Sequence, residues 1–164
     1  MAMLFSLPSI AYSVTMRIFG TLLAIVLASC APNNAPKAAS AAPFSTIKWS
    51  DLVGAPFTLT SLAVKTQKIA LPATRRPTIQ FGEKNRVSGS AGVNLYAVEG
   101  AVSGKDDLSW SGPAAATKMA GPPEAMALED SFLEALQAVT RIELRDGQLR
   151  LTSADGTTRM EFNR

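Results

Sequence analysis

Apolar and polar residues alternate through Phe57-Thr58-Leu59-Thr60 ahead of Ser61-Leu62, the two-residue period of a strand with one buried face. Thr78-Ile79-Gln80-Phe81 repeats that period, and Gly82-Glu83-Lys84-Asn85 behind it is a turn cluster. Between them, Val64 to Arg76 is polar and contains Pro72, which predicts a strand end followed by a loop. Arg86 to Tyr96 reads as a strand or strand pair punctuated by Gly89 and Gly92. Glycines inside such a pattern predict a bulge, a bend or a close backbone approach. Short strands are expected around Tyr96 to Ser103 and Asp107 to Ser111, separated by Gly104-Lys105-Asp106.

The period then changes. Leu128, Phe132, Ala135, Leu136 and Val139 recur at steps of three and four, one face of a helix, with Asp130, Glu134 and Gln137 opposite. Pro122-Pro123-Glu124 supplies prolines suited to a first turn and an acid at the positive end of the helix dipole. Beyond the helix the strand period returns in Arg141 to Arg145, Gln148 to Thr152 and Thr158 to Phe162. Asp146-Gly147 and Ala154-Asp155-Gly156 divide these, and Asp-Gly favours a tight hairpin because the turn needs positive φ. Ile142, Leu144, Leu149, Leu151, Met160 and Phe162 share one face and charges the other, an antiparallel meander with a single wet side. The pattern predicts an α+β, mainly β fold: a curved antiparallel sheet with one principal helix packed on one face. It opens near Ile47-Lys48-Trp49.

Residues 1–29 follow neither period. Arg17, the apolar run Ile18 to Leu27, and small residues before Cys30 have the order of a bacterial secretion signal. Nothing before Arg17 is charged, so the signal starts at Met1 or at Met16. The run is about half of the roughly 20 residues a membrane span needs. Leu27-Ala28-Ser29-Cys30 resembles the lipobox of bacterial lipoproteins. The resemblance implies cleavage before Cys30, diacylation of its sulfur and acylation of the new amine. Residues 30–46 are then the lipidated cysteine with an Ala/Pro-rich tether, and 47–164 the folded domain. Ala31 is not the aspartate that retains lipoproteins in the inner membrane of enteric bacteria. The periplasmic face of the outer membrane is the expected location.

Composition narrows the chemistry. Arg17 is the one charged residue of the signal, so 16 basic and 13 acidic residues become 15 and 13 in the mature chain, a net charge near +2. So small an excess gives no support to nucleic-acid binding. The chain has no histidine, which excludes Ser-His-Asp and Cys-His catalysis and histidine-ligated zinc. Cys30 is its one cysteine, so acylation leaves neither disulfide nor thiol nucleophile. No metal and no cofactor is expected.

Val87-Ser88-Gly89-Ser90-Ala91-Gly92-Val93-Asn94-Leu95-Tyr96, then Thr117-Lys118-Met119-Ala120-Gly121-Pro122-Pro123, then Glu129, Phe132-Leu133 and Leu136, stand in a distinctive order. The order resembles the META domain family, the fold of HslJ-like heat-inducible bacterial lipoproteins, over Asp51 to Phe162. It implies a structural motif of Gly89, Gly92, Asn94, Tyr96, Thr117, Met119, Glu129 and Phe132, and a stress-linked or envelope-maintenance role. The family usually has cysteine where this chain has Val93 and Gly121, positions that resemble a disulfide pair. Losing both leaves no orphan thiol. It opens a loop of about 28 residues, whose closure is worth roughly 3 kcal/mol, and burial of the branched Val93 side chain is an offset.

Several motifs invite chemistry. Gly89-Ser90-Ala91-Gly92 leads into a strand-like segment rather than a helix N-terminus, so it reads as a bend and not a phosphate cradle. No Gly-x-Ser-x-Gly elbow surrounds Ser88 or Ser90. Glu124, Glu129 and Asp130 cluster on the helix, where acids ordinarily serve the dipole. Glu129 lies at the edge of the buried face and needs donors, for which Tyr96, Asn94 and the backbone of Gly89 to Gly92 are candidates. A structural polar tie is the favoured reading. Lys65, Lys68, Arg75, Arg76, Lys84 and Arg86 bias the N-terminal half basic, which suits anionic lipid heads or protected strand edges. The expected protein is a monomeric, non-enzymatic interaction module, with the membrane and envelope proteins as partners. The alternative is a carrier of a small apolar ligand on the concave face of the sheet, which a void of several hundred cubic ångströms would favour.

Overall fold

A computed structural model of the protein describes residues 46–164. The signal segment, Cys30 and the tether as far as residue 45 lie outside the described residues. In chain order the elements are α1 (Trp49–Leu52), β1 (Phe57–Val64), β2 (Gln67–Ile69), β3 (Thr78–Phe81), β4 (Arg86–Ser90), β5 (Leu95–Ser103), β6 (Asp107–Trp110) and β7 (Ala115–Ala116). After them come α2 (Pro123–Ala138), β8 (Val139–Arg145), β9 (Gln148–Ser153) and β10 (Arg159–Asn163).

The expected curved sheet is in fact a closed barrel. Neighbours run β1-β3-β4-β5-β6-β8-β9-β10, and β10 pairs back onto β1 from Thr58↔Asn163 to Ala63↔Arg159, all antiparallel. Eight strands close the ring, with β2 and β7 as fringes on β1 and β5. Alternation along a strand reports only that one face is dry, which open and closed sheets share. Closure depends on the two ends of the domain meeting. A register shift between Leu59 and Ser61 lies in the closing pair, where a bulge bends a strand.

The helix is likewise not laid on an open face. Antiparallel order places the β1–β2 turn, the β4–β5 connection and the β9–β10 turn at one end of the barrel. Helix α2 reaches the first of these through Lys65–Glu134 (2.8 Å) and the second through Glu129 on Asn94. It therefore crosses that mouth, with Leu128, Phe132, Ala135 and Leu136 directed into the core. The other mouth is covered by α1. Leu52 is fully buried, Trp49 Nε1 donates to Gly82 O (2.8 Å), and Arg164 donates to the Asp51 and Leu52 carbonyls (3.4 Å each). The chain enters at this end, where Ile47 N–H donates to Lys105 O (3.4 Å).

Side chains fill the interior. Phe57, Leu59, Phe81, Phe132, Leu151 and Phe162 have no exposure, while Leu144 is half-buried against the same core. Trp49 stands edge-on to Phe81 with centroids 5.3 Å apart, and Tyr96 meets Phe132 at 5.4 Å.

Two local expectations change, and other local features come only from the structure. The segment Val64 to Arg76 contains β2, a short return strand. The domain opens near Ile47-Lys48-Trp49 on a helical turn, and β7 arises from an alanine run without alternation. Val139 is not on the helix: its φ of −79° and ψ of 137° start β8 with no intervening loop. The basic residues form no single patch, because Lys65 and Lys68 flank the β1–β2 turn while Lys84 and Arg86 flank the β3–β4 turn at the opposite end. Asp146 (φ 49°) and Gly147 (φ 79°) do form the tight positive-φ hairpin that their sequence requires.

Candidate functional site

Beneath α2, the residues singled out in sequence meet in one buried polar knot. Asn94 is 1% exposed and Glu129 is 4% exposed. Glu129 Oε2 accepts from the backbone N–H groups of Val93 (3.2 Å) and Asn94 (2.7 Å), and Oε1 accepts from Asn94 Nδ2 (2.8 Å). The same Nδ2 donates to Met119 O (3.2 Å). Asn94 Oδ1 accepts from Met119 N–H (2.7 Å) and Thr117 Oγ1 (2.8 Å). Thr117 Oγ1 in turn accepts from Leu95 N–H (3.2 Å). With no ion pair to it among the described residues, Glu129 is held by three N–H donors, two of them backbone, which is what burial of a carboxyl group demands.

The two glycines have separate jobs. At Gly89 a Cβ would stand 2.0 Å from Thr78 O and 3.1 Å from the Tyr96 ring, so this is a close backbone approach. Gly92 has a φ of +129°, which lets the β4–β5 connection turn its N–H groups toward Glu129. Tyr96 is not a donor to Glu129. Its hydroxyl donates to Thr78 O (3.0 Å), and burial pushes the phenol pKa up. Phe132 packs on the Tyr96 ring, one turn of α2 beyond Glu129.

Val93 and Gly121 are neighbours. A Cβ at Gly121 would lie 2.6 Å from Val93 Cγ2 and 3.4 Å from Val93 Cβ, so the valine side chain occupies the space left by the glycine. Sequence reasoning missed Thr78, whose carbonyl accepts the hydrogen bond from the Tyr96 hydroxyl and whose Oγ1 accepts from Ser90 N–H (3.1 Å). A threonine opening an alternating strand gives no signal of that task.

The META domain profile matches residues 50–164. The chain belongs to the META domain family. The knot joins the Gly-rich strand pair, the Thr-x-Met segment and the helix of this META domain, the three stretches that carry the resemblance. The fold is similar to that of a protein from Burkholderia xenovorans solved by NMR, 22% identical, with 79% of this chain and 95% of that one covered and a TM-score of 0.59. A second NMR structure is 26% identical, with coverage of 71% and 94% and a TM-score of 0.53. A crystal structure of a DUF4847 family protein from Bacteroides vulgatus is 14% identical, with coverage of 70% and 94% and a TM-score of 0.50. No curated protein matches the chain.

Chemically, the knot is closed. Both oxygens of Glu129 and both polar atoms of the Asn94 amide are engaged within the domain. Glu124 and Asp130 face solvent on α2, away from it. Among the described residues no cluster of three or more Cys, Asp or Glu could hold a metal ion, and no helix is long and apolar enough to cross a membrane. A recess of about 370 Å³ between Thr60-Ser61 and Lys68 to Leu71 lies on the wall beside the fringe strand β2, not in the core.

Proposed function

We propose that this META domain protein is a lipid-anchored module of the bacterial envelope that works by binding, not by catalysis. The observation that carries the reading is the closed knot: the polar residues of the family motif satisfy one another and leave no group poised toward a substrate. The motif makes a rigid scaffold, and activity belongs to the surface that the scaffold presents. The side chains that fill the barrel support this reading over that of a carrier with its ligand on a concave face.

Cys30 supplies the anchor in this reading, and a short tether leads from it to the α1 end of the barrel. The outer membrane, periplasmic side, is the proposed location, and envelope stress or maintenance the proposed setting. Labelling cells with a fatty-acid probe tests the anchor. The wild-type protein should carry the label and sediment with membranes. Cys30→Ser should lose the label and release a soluble domain with unchanged thermal unfolding. Misfolding of that variant, or label retained on it, would sink the anchor.

A further inference from the structure

The strongest unexplained feature is what the buried knot holds outward. Asn94 fixes both the N–H and the carbonyl of Met119, yet Lys118, Met119 and Ala120 all face solvent. Thr117 N–H donates to Leu95 O (3.0 Å), which sets Leu95 opposite Thr117 on the same outer surface. Leu95 is 61% exposed and Met119 55%, the most exposed large apolar side chains among the described residues. A buried hydrogen-bond network that orders exposed apolar groups stabilises the fold without needing those groups, so their identity answers to something outside.

Charge sharpens the surface. No charged residue occurs from Val87 to Val98, and Lys118 alone occurs from Leu108 to Pro123. The Leu95–Thr117 pairing and the Asn94 amide bring these two stretches side by side. Depletion of charge with exposed methionine at the centre is the composition of a protein interface core. Along one border runs α2, which exposes Glu124, Asp130 and Glu134, of which Lys65 pairs with Glu134. That acidic border repels an anionic bilayer and suits a positively charged rim.

We propose that this end of the barrel, centred on Leu95 and Met119, is the docking surface for a protein partner that is apolar at its centre and basic at its rim. The proposal rests on the reading of the protein as a binding module and names the surface involved. The test places a photo-crosslinking amino acid at Leu95, Met119 or Gln148 of the full chain in cells. Gln148 is exposed at the opposite end of the barrel, in the β8–β9 hairpin. The expected result is one protein adduct common to positions 95 and 119, absent at 148, and reduced at least tenfold by Glu124→Lys with Asp130→Lys. Adducts to lipid alone, to a second copy of the chain, or equally from position 148 overturn the proposal. A protein adduct from 148 and none from 95 or 119 removes this surface but keeps the binding module. No protein adduct from any position removes both.

Discussion

Val93 and Gly121 show how much one pair of residues decides. The valine fills the volume above the glycine, so Gly121→Ala forces a methyl against Val93 Cγ2 and should cost about 1–3 kcal/mol, relieved when Val93→Ala accompanies it. Replacing both by cysteine should instead form a bridge, because the Cβ positions are 3.4 Å apart and disulfides need close to 3.8 Å. Oxidised Val93→Cys/Gly121→Cys protein is expected to melt about 10 °C above its reduced form, and equal melting temperatures would deny the pairing. Glu129 works the other way, by satisfying donors. Glu129→Ala leaves three N–H groups, two of them buried, without this acceptor and should lower stability by about 3 kcal/mol in urea titration. Glu129→Gln is no remedy: with its oxygen on the backbone donors, its amide nitrogen meets Asn94 Nδ2, donor against donor. Either variant unfolding within about 0.5 kcal/mol of wild type would show that the knot is not what holds α2 down.

At the scale of elements, turns are where local chemistry and global packing disagree. Asp146-Gly147 has the residues a positive-φ hairpin favours, but Lys65 (φ 50°) and Thr66 (φ 69°) close the β1–β2 hairpin without a glycine. A β-branched residue in that region is strained, and it is held there from outside the hairpin. Thr66 N–H donates to Thr157 O (2.8 Å) and Lys65 reaches Glu134 on α2. Thr66→Gly retains the backbone bond and removes the strain, so it should raise stability by about 1 kcal/mol. A loss of stability would mean that the threonine hydroxyl, which donates to Lys65 O (2.5 Å), outweighs the strain. Helix α2 poses no such conflict. Pro122 caps it, Pro123 opens it, and Val139 ends it by turning straight into β8.

For the whole molecule, closure makes one cooperative core reaching from α1 to α2, and Tyr96 reports on it. Tyr96 is the one tyrosine among the described residues, the chain's other tyrosine being Tyr12. Its folded pKa is raised by burial, so the native state keeps a proton that the unfolded state loses above about pH 10. Stability is therefore fully present below that value and falls as pH rises, with a slope approaching 1.4 kcal/mol per pH unit, on the order of one proton. Tyr96→Phe should be about 1 kcal/mol less stable at neutral pH, through loss of the bond to Thr78 O, and should fall less steeply in alkali. Parallel alkaline profiles for the two proteins would contradict the assignment.

The hydrophobic periods by themselves determined the main strands, the helix and the Asp146-Gly147 hairpin, because each is a choice among neighbours in sequence. The motif that carries the family resemblance was also legible, down to Glu129 as a carboxylate in need of donors. Of the donors expected for it, Asn94 is one, through its amide, while Tyr96 and the Gly89 to Gly92 backbone are not. The backbone N–H groups of Val93 and Asn94, 35 or more positions away, carry no signal because any residue supplies them. Tertiary structure alone decided that the sheet closes, that helices cover both mouths, and that the exposed Leu95 and Met119 lie on stretches joined side by side. Each of these depends on pairings between distant segments, β1 with β10 and Leu95 with Thr117. A local alternation of apolar and polar residues says which side of a strand is dry, but not what the strand will find beside it.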